Sequence, residues 1–296
     1  MIVDIHRHMW SMDQRFPSSY EGVLGWEPVA PTDFDWQTTT DSIIAEMSEA
    51  RVDVSVLFVA DFAPRLGEAP FDIEVENQFV GKAQKRYPGQ LIAFYGIDPR
   101  RESAPELFEK AVTSGNVKGI KLHPTVGYSP SDPICYPLYE ICAYHGLPVI
   151  YHSGPMAHPL LYSRFTHPFE FDQVAADFPN LNLIMGHAFG DWWREGLVVF
   201  GGKSNVTLEL SGWQRRLMDD PEATTKAVVQ MRDELGVERI VWGTDFPSSR
   251  RHMSLERTVA IFRDIPVMAK KHGLQFASQE IDAILGGNAA HLLGLE

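Results

Sequence analysis

The chain has 296 residues, 44% hydrophobic and 22% charged. That is long for one β-sandwich, about right for one α/β barrel, and enough to build a core without disulfides or a structural metal. A formal net charge of −13 argues against nucleic acid and anionic membrane surfaces as partners; a local basic patch would still admit an anionic small-molecule substrate.

Eight short apolar runs appear in chain order: Ile2–Asp4, Val54–Val59, Leu91–Ile97, Val117–Leu122, Leu147–Tyr151, Leu181–Met185, Val206–Leu210 and Arg239–Trp242. Most are continuous rather than alternating, which suits parallel strands covered on both faces. Helical spacing lies between them, as at Ile43, Ile44, Met47 and Ala50 within Ser42–Arg51. Ile73–Arg86, Ala104–Ser114, Tyr136–His145, Phe169–Phe178, Trp192–Phe200 and Pro221–Leu235 read the same way. Pro105 and Pro221 sit where a first-turn proline is tolerated, and Gly115, Gly146 and Gly236 follow helix ends.

Eight strand–helix alternations predict an α/β fold, a single distorted (β/α)8 TIM barrel spanning residues 1–296. A last helix, Ser278–Leu293, closes it, with Ser278 as the N-cap and Glu280 and Asp282 in the first turn. One long irregular stretch, Met9–Gln37, leaves the first strand carrying Trp10, Phe16, Tyr20, Trp26, Phe34 and Trp36. It reads either as a lid or pocket wall over the barrel mouth or as an extra packing layer. Cys135 and Cys142 are seven residues apart in one helical segment, about 10 Å by helical rise, beyond disulfide reach. Packed thiols, no signal-peptide pattern and no bilayer-length apolar run lead us to expect a cytoplasmic protein.

The strand ends carry the chemistry. His6 and His8 are two apart on the first strand, so both face one way, into the barrel. Two inward imidazoles suit a divalent cation; the alternative is a buried, hydrogen-bonded core histidine. Asp245, after the last strand in Gly243-Thr244-Asp245-Phe246-Pro247, is costly to bury unless paired, and a metal would pair it; a turn or cap aspartate is the alternative. His152 follows the fifth strand as a third imidazole ligand, and His187 follows the sixth as a ligand or an acid/base. Each of these could instead be a loop histidine bonded to backbone. Lys121 and His123 share one face of the fourth strand's end, where lysine could bind a substrate carboxylate, carry a carbamate or form a structural pair. His158, His167, His252, His272 and His291 lack this setting and read as surface or packing residues.

Taken together, these residues resemble the amidohydrolase superfamily, in particular the group of aminocarboxymuconate-semialdehyde decarboxylase-like enzymes. The resemblance rests on Asp4-Ile5-His6-Arg7-His8, Lys121-Leu122-His123-Pro124, Tyr151-His152-Ser153-Gly154, Gly186-His187 and Gly243-Thr244-Asp245-Phe246-Pro247. Gly286-Gly287-Asn288-Ala289-Ala290 near the end completes it, with His291 where the group often has arginine. It implies one divalent metal, zinc first and manganese second, on His6, His8, His152 and Asp245. It also implies an acid/base or substrate contact at His187, and suggests a homodimer.

The reading that follows is metal-assisted hydrolysis of a small, anionic carbonyl compound (lactone, ester or amide), with Asp245 taking the water proton and His187 serving the oxyanion or leaving group. The rival is non-oxidative decarboxylation of an aromatic or muconate-type acid. Several such decarboxylases carry glutamate in place of the first histidine, and His6 tilts the balance toward hydrolysis. A barrel that binds metal or ligand without turnover is the third reading. For substrate binding, Lys121, His123, Trp213 and Arg215 are the candidates, with Arg65, Arg164 and Arg216 as further loop arginines that could grip a carboxylate.

Overall fold

The computed structural model describes residues 1–10, 39–68, 72–250 and 252–295. Among these, eight parallel strands alternate with helices: β1 (Val3–His8), β2 (Val54–Phe58), β3 (Leu91–Ala93 continued by Tyr95–Gly96), β4 (Ile120–Leu122), β5 (Val149–His152), β6 (Leu183–Gly186), β7 (Val206–Glu209) and β8 (Ile240–Val241). Neighbours in sequence are neighbours in the sheet. At Phe94 the third strand changes partner: Leu91–Ala93 pairs with β2 and Tyr95–Gly96 with β4. The ring closes where Ile5 N donates to Trp242 O (3.2 Å), Asp245 N to His6 O (2.8 Å) and His8 N to Phe246 O (2.7 Å). The result is the (β/α)8 barrel that the alternation of elements predicts.

The apolar runs are continuous because each strand buries both faces. One face fills the barrel interior with Val3, Ile5, Val56, Phe58, Ile150 and Ile184, joined by Ala289 and Ala290 of the C-terminal helix. The other face, including Leu57, Leu122, Tyr151 and Met185, packs under the surrounding helices. Asn288 ties that last helix down by donating to Val237 O and Ile240 O.

A bulge in β1 determines what reaches the barrel mouth. Asp4 pairs with Ser55 and Arg7 with Leu57, so Ile5 and His6 together face Val56. Plain alternation from Ile5 would send His6 outward. With the extra residue, Ile5 stays in the apolar interior, His6 and His8 both face the mouth, and Arg7 turns out to Glu46.

Some sequence expectations need correcting. The final helix begins after Ala277 rather than on a Ser278 cap: Glu280 Oε2 reaches back to accept from Ala277 N at 2.6 Å, which satisfies the helix start without a capping hydroxyl. Its second half is a π-helical turn, Ala283–Gly287, leading into Asn288–Leu293. Arg215 and Arg216 lie in a helix, Trp213–Asp219, not in a loop; Trp213 and Leu217, four apart, bury its inner side. Cys135 and Cys142 are both free and buried. The aromatic stretch Met9–Gln37, expected either as a lid or pocket wall or as an extra packing layer, lies outside the described residues beyond Trp10, and no helix among the described residues is long and apolar enough to cross a membrane.

Candidate metal centre

The strands deliver their last residues to one end of the barrel, as parallel barrels do. His6 lies buried against Phe58, with Nδ1 2.8 Å from Glu209 Oε2 and Nε2 3.5 Å from Asp245 Oδ1. His8 Nε2 is 3.2 Å from the same Asp245 oxygen. From β6, His187 turns its Nδ1 to Ser211 Oγ at 2.9 Å. His6, His187 and Asp245 each offer a ligand atom within 4.8 Å of the others. His152, at the end of β5, stacks on His123 with ring centroids 4.3 Å apart and meets His187 at 4.7 Å. Its Nε2 is buried with no hydrogen-bond partner.

Two of these residues stand on left-handed backbone, His187 at φ 64° and Asp245 at φ 57°. Ala188 and Phe189 continue that conformation at 46° and 62°. Each such residue costs about 1–3 kcal/mol and persists only where its surroundings over-determine it. Here they do: Trp213 Nε1 donates to His187 O at 2.9 Å, Glu209 accepts from His187 N at 3.1 Å, and Asp245 N is bound to His6 O at 2.8 Å. Asp4 braces the same junction, accepting from Thr244 N (2.9 Å) and Thr244 Oγ1 (2.7 Å); burial pushes its carboxyl up to about 6. Gly186 leaves room here too, since a Cβ on it would lie 2.5 Å from Tyr151 O and 3.2 Å from His6 Cε1.

Burial lowers the pKa of His6, His8, His123 and His152, and brings His187 down to about 4. Burial works against the charge on Asp245 as well, but the hydrogen bond from His8 and the Lys121 charge outweigh it and hold the carboxylate below its usual range. Neutral imidazoles around an ionised carboxylate, with two imidazole nitrogens (His8 Nδ1 and His152 Nε2) buried and without a hydrogen-bond partner, are the donor set a divalent cation takes. These residues fit such an ion.

The expected substrate contacts divide. Trp213, Arg215 and His123 line a cavity of about 470 Å³ directly above the histidines, and Arg216 lines it while paired to Asp191 at 2.7 Å. Lys121 lies lower, buried, with Nζ 3.4 Å from His6 Nε2 and 4.8 Å from the Phe58 ring centre. Arg65 donates instead to Leu160 O at 2.7 Å, and Arg164 lies over Phe165; neither lines the cavity. His252, read from sequence as a surface or packing residue, does line it, because the segment after β8 folds back over the mouth.

Sequence reasoning missed Glu209 and Ser211. The signal was present: a carboxylate inside the apolar run Val206–Leu210 is as costly to bury as Asp245, and the same argument applied there would have found it.

A family model described as Amidohydrolase matches residues 3–295. No curated protein matches the chain by sequence. Solved structures share its fold at low identity. One is a probable 2-pyrone-4,6-dicarboxylic acid hydrolase from Acinetobacter baumannii with citric acid bound (17% identity, 99% of each chain covered, TM-score 0.66). Another is 5-carboxyvanillate decarboxylase from Sphingomonas paucimobilis (16% identity, 99% of this chain and 98% of that one, TM-score 0.67). A third is an amidohydrolase from Burkholderia multivorans with bound zinc (16% identity, 99% of each chain, TM-score 0.69).

Proposed function

Because the chain belongs to the amidohydrolase family, we propose that it is a metal-assisted hydrolase acting on a small, anionic carbonyl compound, a lactone, ester or amide. The observation that carries this reading is the shared oxygen of Asp245: Oδ1 stands 3.2 Å from His8 Nε2 and 3.5 Å from His6 Nε2, on the floor of the cavity. His6, His8, His152 and Asp245 would hold one divalent ion, with zinc the first choice, as in the Burkholderia neighbour, and manganese the second. Such an ion supplies Lewis acidity, making water more acidic and a carbonyl more electrophilic.

The chain's own groups do the rest. Asp245, ionised and at the floor, accepts the proton of the attacking water. His187, neutral at pH 7 and facing the same space, relays a proton to the leaving group. Arg215 or Arg216 binds a substrate carboxylate at the rim, and Trp213 offers an apolar wall.

Decarboxylation of an aromatic acid is the second reading, favoured by the carboxyvanillate decarboxylase among the structural neighbours. A panel of lactones, esters, amides and hydroxylated aromatic acids, assayed in parallel for new carboxylate product and for carbon dioxide, separates the two. Hydrolysis predicts acid release from a carbonyl substrate with no gas. Carbon dioxide from an aromatic acid, without hydrolysis of any panel member, would overturn it.

A further inference from the structure

Glu209 and Ser211, at the end of β7, touch both His6 and His187, which come from β1 and β6. Glu209 is fully buried, and its two oxygens take four contacts: Oε2 from His6 Nδ1 (2.8 Å), Ser211 Oγ (2.7 Å) and His187 N (3.1 Å), and Oε1 from Ser211 N (2.6 Å). Ser211 Oγ also stands 2.9 Å from His187 Nδ1 and 3.2 Å from His6 Nδ1, and Ser211 O is 3.3 Å from His187 Nδ1.

Counting hydrogens fixes the arrangement. Burial pushes the Glu209 carboxyl up, but each of its oxygens already accepts a backbone N–H, from His187 and from Ser211, and the Ser211 hydroxyl and the Lys121 charge favour the carboxylate as well; that form only accepts, so His6 Nδ1 carries the hydrogen that points at Glu209. A backbone carbonyl also only accepts, so a bare His187 Nδ1 would set lone pair against lone pair at Ser211 O. His187 Nδ1 therefore carries its hydrogen too, shared between Ser211 Oγ and Ser211 O. The single hydroxyl hydrogen of Ser211 is then left for Glu209 Oε2, its 2.7 Å neighbour.

We propose that Glu209 and Ser211 form one positioning device that locks His6 and His187 together in the Nδ1–H tautomer, so that His187 presents a bare Nε2 to the cavity and His6 a bare Nε2 to Asp245 beneath it. For His6 the consequence is a ring preset as a metal ligand. For His187 it is that the neutral ring enters any reaction as an acceptor of a proton or of a cation, and cannot donate to an oxyanion before it has been protonated. The device deepens the hydrolase reading but does not depend on turnover.

Histidine tautomers are read directly by long-range ¹H–¹⁵N correlation NMR on the ¹⁵N-histidine-labelled, metal-free full chain at pH 9.5, where Glu209 is a carboxylate, with His6→Asn and His187→Asn assigning the two rings. The wild-type spectrum is expected to show both as Nδ1–H. In Glu209→Gln the new amide can donate to His6 Nδ1, so that ring is expected to shift toward Nε2–H and zinc affinity to fall about 10–100-fold. Glu209→Asp should restore the tautomer at least in part. Ser211→Ala is expected to change the His187 signals with a smaller effect on zinc. An Nε2–H tautomer at His6 or His187 in the wild type overturns the proposal, as does a folded Glu209→Gln that keeps both the wild-type His6 signals and its zinc affinity. A chain that binds no metal yet shows both Nδ1–H rings would instead refute the metal-assisted reading and leave the device standing.

Discussion

Gly243 sits against His6 so closely that a Cβ on it would lie 2.6 Å from the His6 Cβ and 2.5 Å from Glu209 Oε1. The glycine that precedes Thr244 and Asp245 is therefore a packing requirement of His6. Gly243→Ala must push His6 or Glu209 aside, and overpacking of this kind costs about 1–3 kcal/mol. We expect a lower Tm together with weaker zinc binding in isothermal titration. Wild-type values for both would show that the close approach is not maintained in solution.

Arg7 is the residue between the two histidines, and it is fully buried on the outer side of β1 with its guanidinium on Glu46. Glu46 also meets Arg250 Nε at 3.1 Å. Removing one partner of a buried ion pair leaves a charge without compensation, at a cost of about 3–5 kcal/mol. Glu46→Ala is expected to lose roughly that much in urea denaturation. A change below about 0.5 kcal/mol, ordinary for a surface substitution, would contradict the assignment.

Burial pushes the Cys135 thiol up to about 12, and Cys142 is raised further by the same cause. At pH 8 a thiol of that kind is ionised to only about one part in ten thousand. Ellman's reagent is expected to find no reactive thiol in the native chain and both after unfolding. Prompt reaction of either cysteine in the folded protein would contradict this packing.

Arg216 stands at the cavity rim on Asp191. If it grips the carboxylate of the substrate, Arg216→Ala should raise KM about tenfold or more, the scale of a hydrogen bond to a charged group, with kcat and metal content near wild type. A loss confined to kcat would place this arginine in a different role.

The barrel was readable from the chain because continuous apolar runs ending in glycine, histidine or aspartate leave few other folds. His6, His8, His152, His187 and Asp245 were readable for the same reason: titratable groups at apolar strand ends are costly without partners. The bulge that lets both Ile5 and His6 face inward was not, since nothing in Asp4-Ile5-His6-Arg7-His8 marks an extra residue; the register follows from pairing with β2. Nor was the helix carrying Arg215 and Arg216, whose seven residues hold too few apolar positions to show a period. The contact of Glu209 with His6 spans 203 residues of sequence, and only closure of the barrel brings the two together.

The most direct test of the account is metal content. Plasma mass spectrometry of purified wild type should find about one divalent ion per chain, and the His6→Ala/His8→Ala double variant should lose it. No ion in the wild type, even after zinc or manganese is supplied, would contradict the central claim that these strand ends form a metal centre.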